Sequence, residues 1–203
     1  MPEHTERQRD RAATETSLLA AARGVLADVG FQGLGVNAVA RAAGCDKQLI
    51  YRYFGGLDGL IDAIGAGIAE DWRRRLAPLS PATSYAAFAE AMMLGFLDAL
   101  IADPLMQKIM VWEIAEPSPL VQRLTLARSK AMMRWVAESR GTLAPPAGVD
   151  IGATNAALLA AIQHLVLAAA AAGQFSGLPL ASDSDWERVR AVVRRLVRAA
   201  FAG

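Results

Sequence analysis

The chain has 203 residues, 54% of them hydrophobic, and a formal net charge of +1. That apolar content supports a sizeable core and excludes a disordered chain, while the near-zero charge leaves any nucleic-acid partner to be decided by local patches. A single cysteine, Cys45, excludes an internal disulfide framework, and the charged start MPEHTERQRDRAATE lacks the apolar run of a signal peptide, so a cytoplasmic location is expected.

Residues 1–11 read as a solvated tail. From 12 to 29, Leu18, Leu19, Ala22, Val25, Leu26 and Val29 recur at helical spacing, and Gly30 supplies a stop. VNAVARAAG repeats the pattern briefly, with Val36, Val39, Ala40 and Ala43 on one side and Gly44 closing it. Asp46 is placed to cap a third helix through Phe54. A fourth helix starts near Leu57 and ends before Pro78. Further helices, bounded by Pro, Gly or Asp, cover about 84–101, 104–115, 118–139, 150–173 and 184–201. No β-alternation appears, and the predicted fold class is all-α.

Residues 151–182 contain no charged side chain, and AALLAAIQHLVLAAAAAG is long enough to suggest a membrane span. The stretch is mostly alanine and includes Asn155, Gln163 and His164, so a helix buried among other helices is expected and a membrane partner is not.

Two short helices joined by a glycine-containing turn form the helix-turn-helix pattern, whose second helix enters the major groove of DNA. On the wheel, Ile50 and Phe54 point back to the first helix, and Lys47, Gln48 and Tyr51 share the opposite face. Gln48 can bond an adenine edge in two places, and Lys47 can donate to guanine or to a phosphate. Tyr51 suits a thymine methyl or a phosphate, Leu49 a thymine methyl, and Arg52 and Tyr53 the phosphate strand alongside. Aromatics at helical spacing usually signal a core. The company of a lysine, a glutamine and an arginine weakens that reading for the set.

LLAAARGVLADVGFQGLGVNAVARAAGCDKQLIYRYFGGLDGLIDAI resembles the N-terminal DNA-binding domain of TetR-family transcriptional regulators, in the helix ending at Gly30-Phe31, the VARAAG turn, and Tyr51-x-Tyr53-Phe54 before a Leu-rich helix. The resemblance covers about residues 15 to 65. It implies a DNA-binding head at 1–56 and a larger helical body at 57–203 that dimerises and binds a small-molecule effector. It places Lys47, Gln48 and Tyr51 at base-reading positions and Tyr53 at a phosphate. Two positions depart from the family pattern. Gly35 stands where Ser or Thr often meets a phosphate, leaving the backbone N–H groups there to bind it. Leu57 stands where a lysine often opens the fourth helix; the tail residues Arg7, Arg9 and Arg11 could compensate by reaching DNA, with a solvated, disordered tail the preferred reading.

Other motifs fail on context. GLGVNA, residues 33–38, fits a dinucleotide fingerprint but follows a helix, where that fingerprint needs a strand. Two histidines and one cysteine offer no metal set, so neither metal nor cofactor is expected, and no nucleophile motif accompanies His164. The five arginines of the last helix, Arg188, Arg190, Arg194, Arg195 and Arg198, read as a solvated face.

Six of the seven methionines lie between Met92 and Met133. With the neighbouring aromatics they suggest an adaptable apolar pocket, for which Phe88, Met92, Phe96, Met106, Met110, Trp112, Glu113, Met133 and His164 are candidates; plain core is the competing reading. The 150–173 and 184–201 helices carry small-residue and β-branched faces suited to pairing across a two-fold axis. The expected function is a repressor that binds a palindromic operator in double-stranded DNA as a homodimer and leaves it on binding a small, largely apolar ligand. The alternative is an all-α ligand carrier or enzyme that uses the Met-rich body, with the head as scaffold.

Overall fold

Every predicted helix has a counterpart in the computed structural model, which describes residues 3–76 and 82–201, with side chains from residue 11 onward. Among these residues the helices are α1 (Glu3–Gly33), α2 (Val36–Ala43), α3 (Lys47–Phe54), α4 (Leu57–Leu76), α5 (Tyr85–Ile101), α6 (Pro104–Ala115), α7 (Pro119–Arg140), α8 (Ile151–Ala172) and α9 (Asp183–Ala200). The chain is all-α apart from a two-residue antiparallel ladder, β1 (Gln174–Phe175) with β2 (Leu178–Pro179). Ser176 and Gly177 both take positive φ, 48° and 79°, a turn whose twist matches so short a hairpin. Two residues per strand are too few to leave an alternation in the sequence.

Three other features differ from expectation. Residues 3–11, expected as a solvated tail, continue α1, because charged straight-chain residues without Gly or Pro are good helix formers; the side chains of Arg7 and Arg9 lie outside the described set. Gly30 stops the regular run of α1 as expected, at φ 72° and ψ −172°, but a further short turn to Gly33 follows the kink. The uncharged helix α8 is not buried within the chain: only 11% of its most apolar window is, and Ile162 and Val166 are its buried residues. Its mean hydropathy over that window, 1.7, and its 22 residues make it long and apolar enough to cross a membrane.

The chain forms two compact units, neither a continuous segment: residues up to Asp71 with Lys108–Met133, and Trp72–Gln107 with Arg134 to the C-terminus. They do not coincide with a cut at residue 56, because α4, α6 and α7 each run from one unit into the other. The first unit has a core of Leu18, Leu26, Phe31, Val39, Ile50, Leu60, Ile64, Ile109 and Leu124, all under 5% exposed. Each such side chain contributes about 1.5–3 kcal/mol on burial. The second is built on Phe88, Phe96, Leu97, Leu100, Met106, Val166, Trp186 and Val197.

Within the second unit α9 is fixed at both ends. Ser182 and Asp185 form a capping box at its start, and the Ser182 hydrogen bonds hold the Asp185 carboxyl below its ordinary range. Arg190 donates to Asp98 at 2.7 Å and Arg198 to Glu90 at 2.5 Å, tying α9 to α5. Two arginines of the face read as solvated are therefore joined to α5.

Candidate nucleic-acid interface

The turn between α2 and α3 is built from local rules. Gly44 takes the left-handed conformation, φ 63°, and its N–H donates to the carbonyls of Ala40 and Arg41, ending α2. Asp46 is extended, and its carboxylate accepts from the Gln48 N–H at 2.7 Å, starting α3. Gly55, φ 75°, ends α3, and α4 begins two residues later. A Cβ at Gly59 would overlap the Phe54 carbonyl oxygen, so the start of α4 packs on the end of α3 at a separation only glycine permits.

This packing orients α3 completely. Ile50 is fully buried, as is Val39 of α2. Lys47, Gln48, Tyr51 and Arg52 are exposed, and Leu49 and Tyr53 are half-buried beside them. Tyr51 is 51% exposed, an unusual degree for an aromatic residue in a helix otherwise anchored by its core. Its ring stands 3.6 Å from where a Cβ of Gly56 would be, so the glycine turn gives it a backbone to rest on. Lys47, Gln48, Tyr51 and Arg52 thus offer two cations, an amide and a phenol, the donors and acceptors that base edges and phosphates take.

Two neighbours extend it. Gly35, at the N-cap of α2, is extended at φ −159°, and nothing lies within 4 Å of a Cβ there. Arg11 of α1 holds its guanidinium 5.8 Å from the Tyr53 ring centroid, a cation–π contact. Sequence reasoning offered Arg11 as a residue that could reach DNA but preferred a solvated tail; the signal for the helix is the unbroken helix-forming run from residue 3.

The candidate pocket residues are not gathered in the same way. Met110, Trp112, Glu113 and Met133 belong to the first unit, and Phe88, Met92, Phe96, Met106 and His164 to the second. Met133 is 72% exposed on the side of α7 opposite Leu124, facing solvent in the single chain. Glu113 is taken up by a two-pronged pair with Arg128, and the Trp112 indole N–H donates to the Ala27 carbonyl at 3.2 Å. His164 is exposed, its ring edge against Phe175. Phe88, Met92 and Phe96 do share one face of α5, four residues apart, with Phe96 edge-on to Trp72 at 5.0 Å between centroids. The indole N–H of Trp72 is buried and has no hydrogen-bond partner among the described residues.

Two surface cavities are formed in the second unit. One, of about 450 Å³, lies between α5 and Arg198; the other, of about 200 Å³, is an apolar groove between α8 and α9 lined by Leu158, Leu165, Val192 and Leu196 among others. None of the nine candidates lines either. Among the described residues no group of three or more His, Cys, Asp or Glu side chains is gathered as a metal site requires.

Residues 18–64 match the family model of bacterial regulatory proteins, tetR family. No curated protein matches the sequence. Solved structures share the fold over nearly the whole chain. One is GusR of Salmonella enterica, 16% identical with a TM-score of 0.65, covering 94% of this chain and 96% of that one. Another is a TetR-family transcription regulator from Marinobacter aquaeolei VT8, 17% identical at 0.62, with coverages of 94% and 97%. A third structure, of a tetR family transcription regulator from a Shewanella species, is 20% identical at 0.63, with coverages of 93% and 95%.

Proposed function

We propose, from an N-terminal segment of the TetR family carried in a chain of the TetR-regulator fold, that this protein is a sequence-specific repressor of transcription. It binds a palindromic operator as a homodimer in the cytoplasm, catalyses no reaction, and is released by a small, largely apolar ligand. The observation that carries this reading is the outward face of α3, where Lys47, Gln48, Tyr51 and Arg52 stand together over a buried Ile50. In this reading residues 1–56 hold the DNA-reading surface and 57–203 the responsive body. Lys47, Gln48 and Tyr51 read bases, with Leu49 against a thymine methyl, and Arg52, Tyr53 and the backbone at Gly35 meet phosphates.

Dimerisation is supported by α8 and α9. An uncharged helix that its own chain leaves mostly uncovered, beside exposed Val192 and Leu196, is the surface a second copy would bury. Two heads so joined would meet half-sites about 34–36 Å apart or a multiple of that.

We assign the effector to the α5 face of Phe88, Met92 and Phe96. The unpaired indole N–H of Trp72 supports this choice, since a buried donor left unsatisfied costs about 1–3 kcal/mol that a bound acceptor would recover. A ligand that binds the DNA-incompetent conformation better releases the operator, and operator DNA weakens that ligand by the same factor.

The test is selection of bound sequences from a random DNA pool, with wild type beside the Lys47→Ala/Gln48→Ala/Tyr51→Ala variant. The expected result is a palindrome enriched by the wild type and lost in a variant that remains folded. Equal enrichment by both would remove α3 as the reading element, and enrichment by neither, at low salt from a folded dimer, would favour a carrier.

A further inference from the structure

The first half of α7 grips the first half of α4, and the grip centres on Arg123. A Cβ at Gly65 would lie 2.8 Å from the Leu124 carbonyl oxygen and 2.9 Å from the Ala127 Cβ, so the two helices meet backbone to backbone. Toward the start of α4, the Arg123 guanidinium engages both acids of its first turns. Nε donates to Asp62 Oδ1 at 2.8 Å and Nη2 to Asp62 Oδ2 at 2.6 Å. Nη1 donates to Asp58 Oδ2 at 3.1 Å, and Nε is also 3.1 Å from the Asp58 carbonyl oxygen. These bonds raise the Arg123 pKa, with Asp62 the largest cause, so the cation is permanent. Only a planar fork satisfies a carboxylate with two bonds while reaching a second one; a lysine supplies a point charge.

The consequence for α3 follows from packing described above. The start of α4 touches the end of α3 at Gly59, with no space for even a methyl group. A shift of the first turns of α4 therefore moves or loosens α3. Without Arg123, the first turns of α4 lose their tie to α7.

We propose that Arg123 is a positioning residue for DNA recognition: held by Asp58 and Asp62, it locks α7 onto the start of α4 and thereby fixes the angle at which α3 meets the groove. The proposal rests on the reading of α3 as the DNA-reading helix. Arg123 acts through α4: each of its three nitrogens donates to Asp58 or Asp62.

The test uses the full chain and two readouts. The first is binding to the duplex enriched by wild type from the random pool, titrated over a range of salt concentrations beside an unrelated duplex. Arg123→Gln, a change at a side chain 40% exposed, is expected to stay folded by circular dichroism. It should lose about five- to thirtyfold in specific affinity, with the unrelated duplex bound within about twofold and the salt slope unchanged. Arg123→Lys, which keeps the charge but not the fork, should recover only part of the loss. The Asp58→Asn/Asp62→Asn pair should lose as much as Arg123→Gln, and combining all three should add nothing; it also serves if Arg123→Gln fails to fold.

The second readout is amide hydrogen exchange without DNA, expected to run about tenfold faster over residues 57–62 in Arg123→Gln. Wild-type affinity with wild-type exchange would overturn the proposal. So would a salt slope lowered by about 0.9, which would make Arg123 a phosphate contact. Should wild type enrich no sequence, the regulator reading fails, and unchanged exchange in the variant would overturn the clamp on its own.

Discussion

Glu113 of α6 and Arg128 of α7 form a fork-to-fork pair, with Nη1 2.5 Å from Oε1 and Nη2 2.9 Å from Oε2, and their side chains are only 10% and 12% exposed. Removing one partner leaves the other charge in a site where water can hardly reach it. Glu113→Leu should therefore cost about 3 kcal/mol of folding stability, and Arg128→Met a similar amount, since unpairing a buried ion costs about 3–5 kcal/mol. The double variant should fall within about 1 kcal/mol of wild type, because apolar side chains of like volume escape the desolvation that the pair must overcome. The assay is urea unfolding followed by tryptophan fluorescence, at one fixed protein concentration so that self-association does not shift the midpoint. The reasoning is refuted if each single change costs less than about 1 kcal/mol, or if the double variant costs the sum of the singles. It also bears on the effector: a ligand could use Glu113 only by displacing Arg128.

Three further outcomes follow from other parts of the chain. Leu196→Asp, on the exposed side of α9 by the apolar groove, should turn a dimer into a monomer by light scattering while leaving the helix content unchanged. Gly35→Ser should fit without strain, since its φ is extended and its surroundings open, and should raise stability by a few tenths of a kcal/mol as a better cap; operator affinity should rise several-fold if the hydroxyl meets a phosphate, and thermal melts with a binding titration check both. The Glu90 carboxyl is held below its ordinary range, chiefly by its hydrogen bond from Arg198. A depressed carboxyl contributes stability above its unfolded pKa and loses it as pH falls through the folded value. Glu90→Gln should thus destabilise the protein at neutral pH and make no difference in strong acid, as pH-dependent melts would record.

Features set by neighbours in the chain were legible in the sequence. The ends of α2 and α3 follow from Gly44, Asp46 and Gly55, and the outward face of α3 follows from the spacing of Ile50 and Phe54. Features set by distant partners were not. Glu116 accepts from the N–H groups of Phe31 and Gln32, 2.7 and 3.2 Å away, across more than eighty residues. That contact explains why Gly30 bends α1 beside Trp112 and Glu116, where sequence alone marks only a stop. Arg123 with Asp58 and Asp62, and the glycines at 59 and 65, belong to the same class: nothing local distinguishes them. Composition also misplaced α8, since an apolar helix shows that it needs covering but not whether its own chain covers it. Met133 was drawn into the pocket by its neighbours in sequence, although its position on α7 turns it to solvent.

The return of Lys108–Met133 to the unit that contains α1, α2 and α3 has a consequence for how the protein is made. Helix α3 emerges from the ribosome early, yet the residues that hold its surroundings, Trp112, Glu116, Arg123 and Leu124, come 41 to 53 residues after Asp71. At about 5–20 residues per second, synthesis leaves the N-terminal helices without those partners for about 2–11 s. A nascent chain halted before Glu116 has nothing to accept from the bent end of α1, and one halted before Arg123 has no cation between Asp58 and Asp62. On the proposed reading, a chain halted before Arg123 would hold α3 poorly, whereas one halted between Met133 and α8 would already carry the surroundings of α3 while lacking the helices assigned to dimerisation.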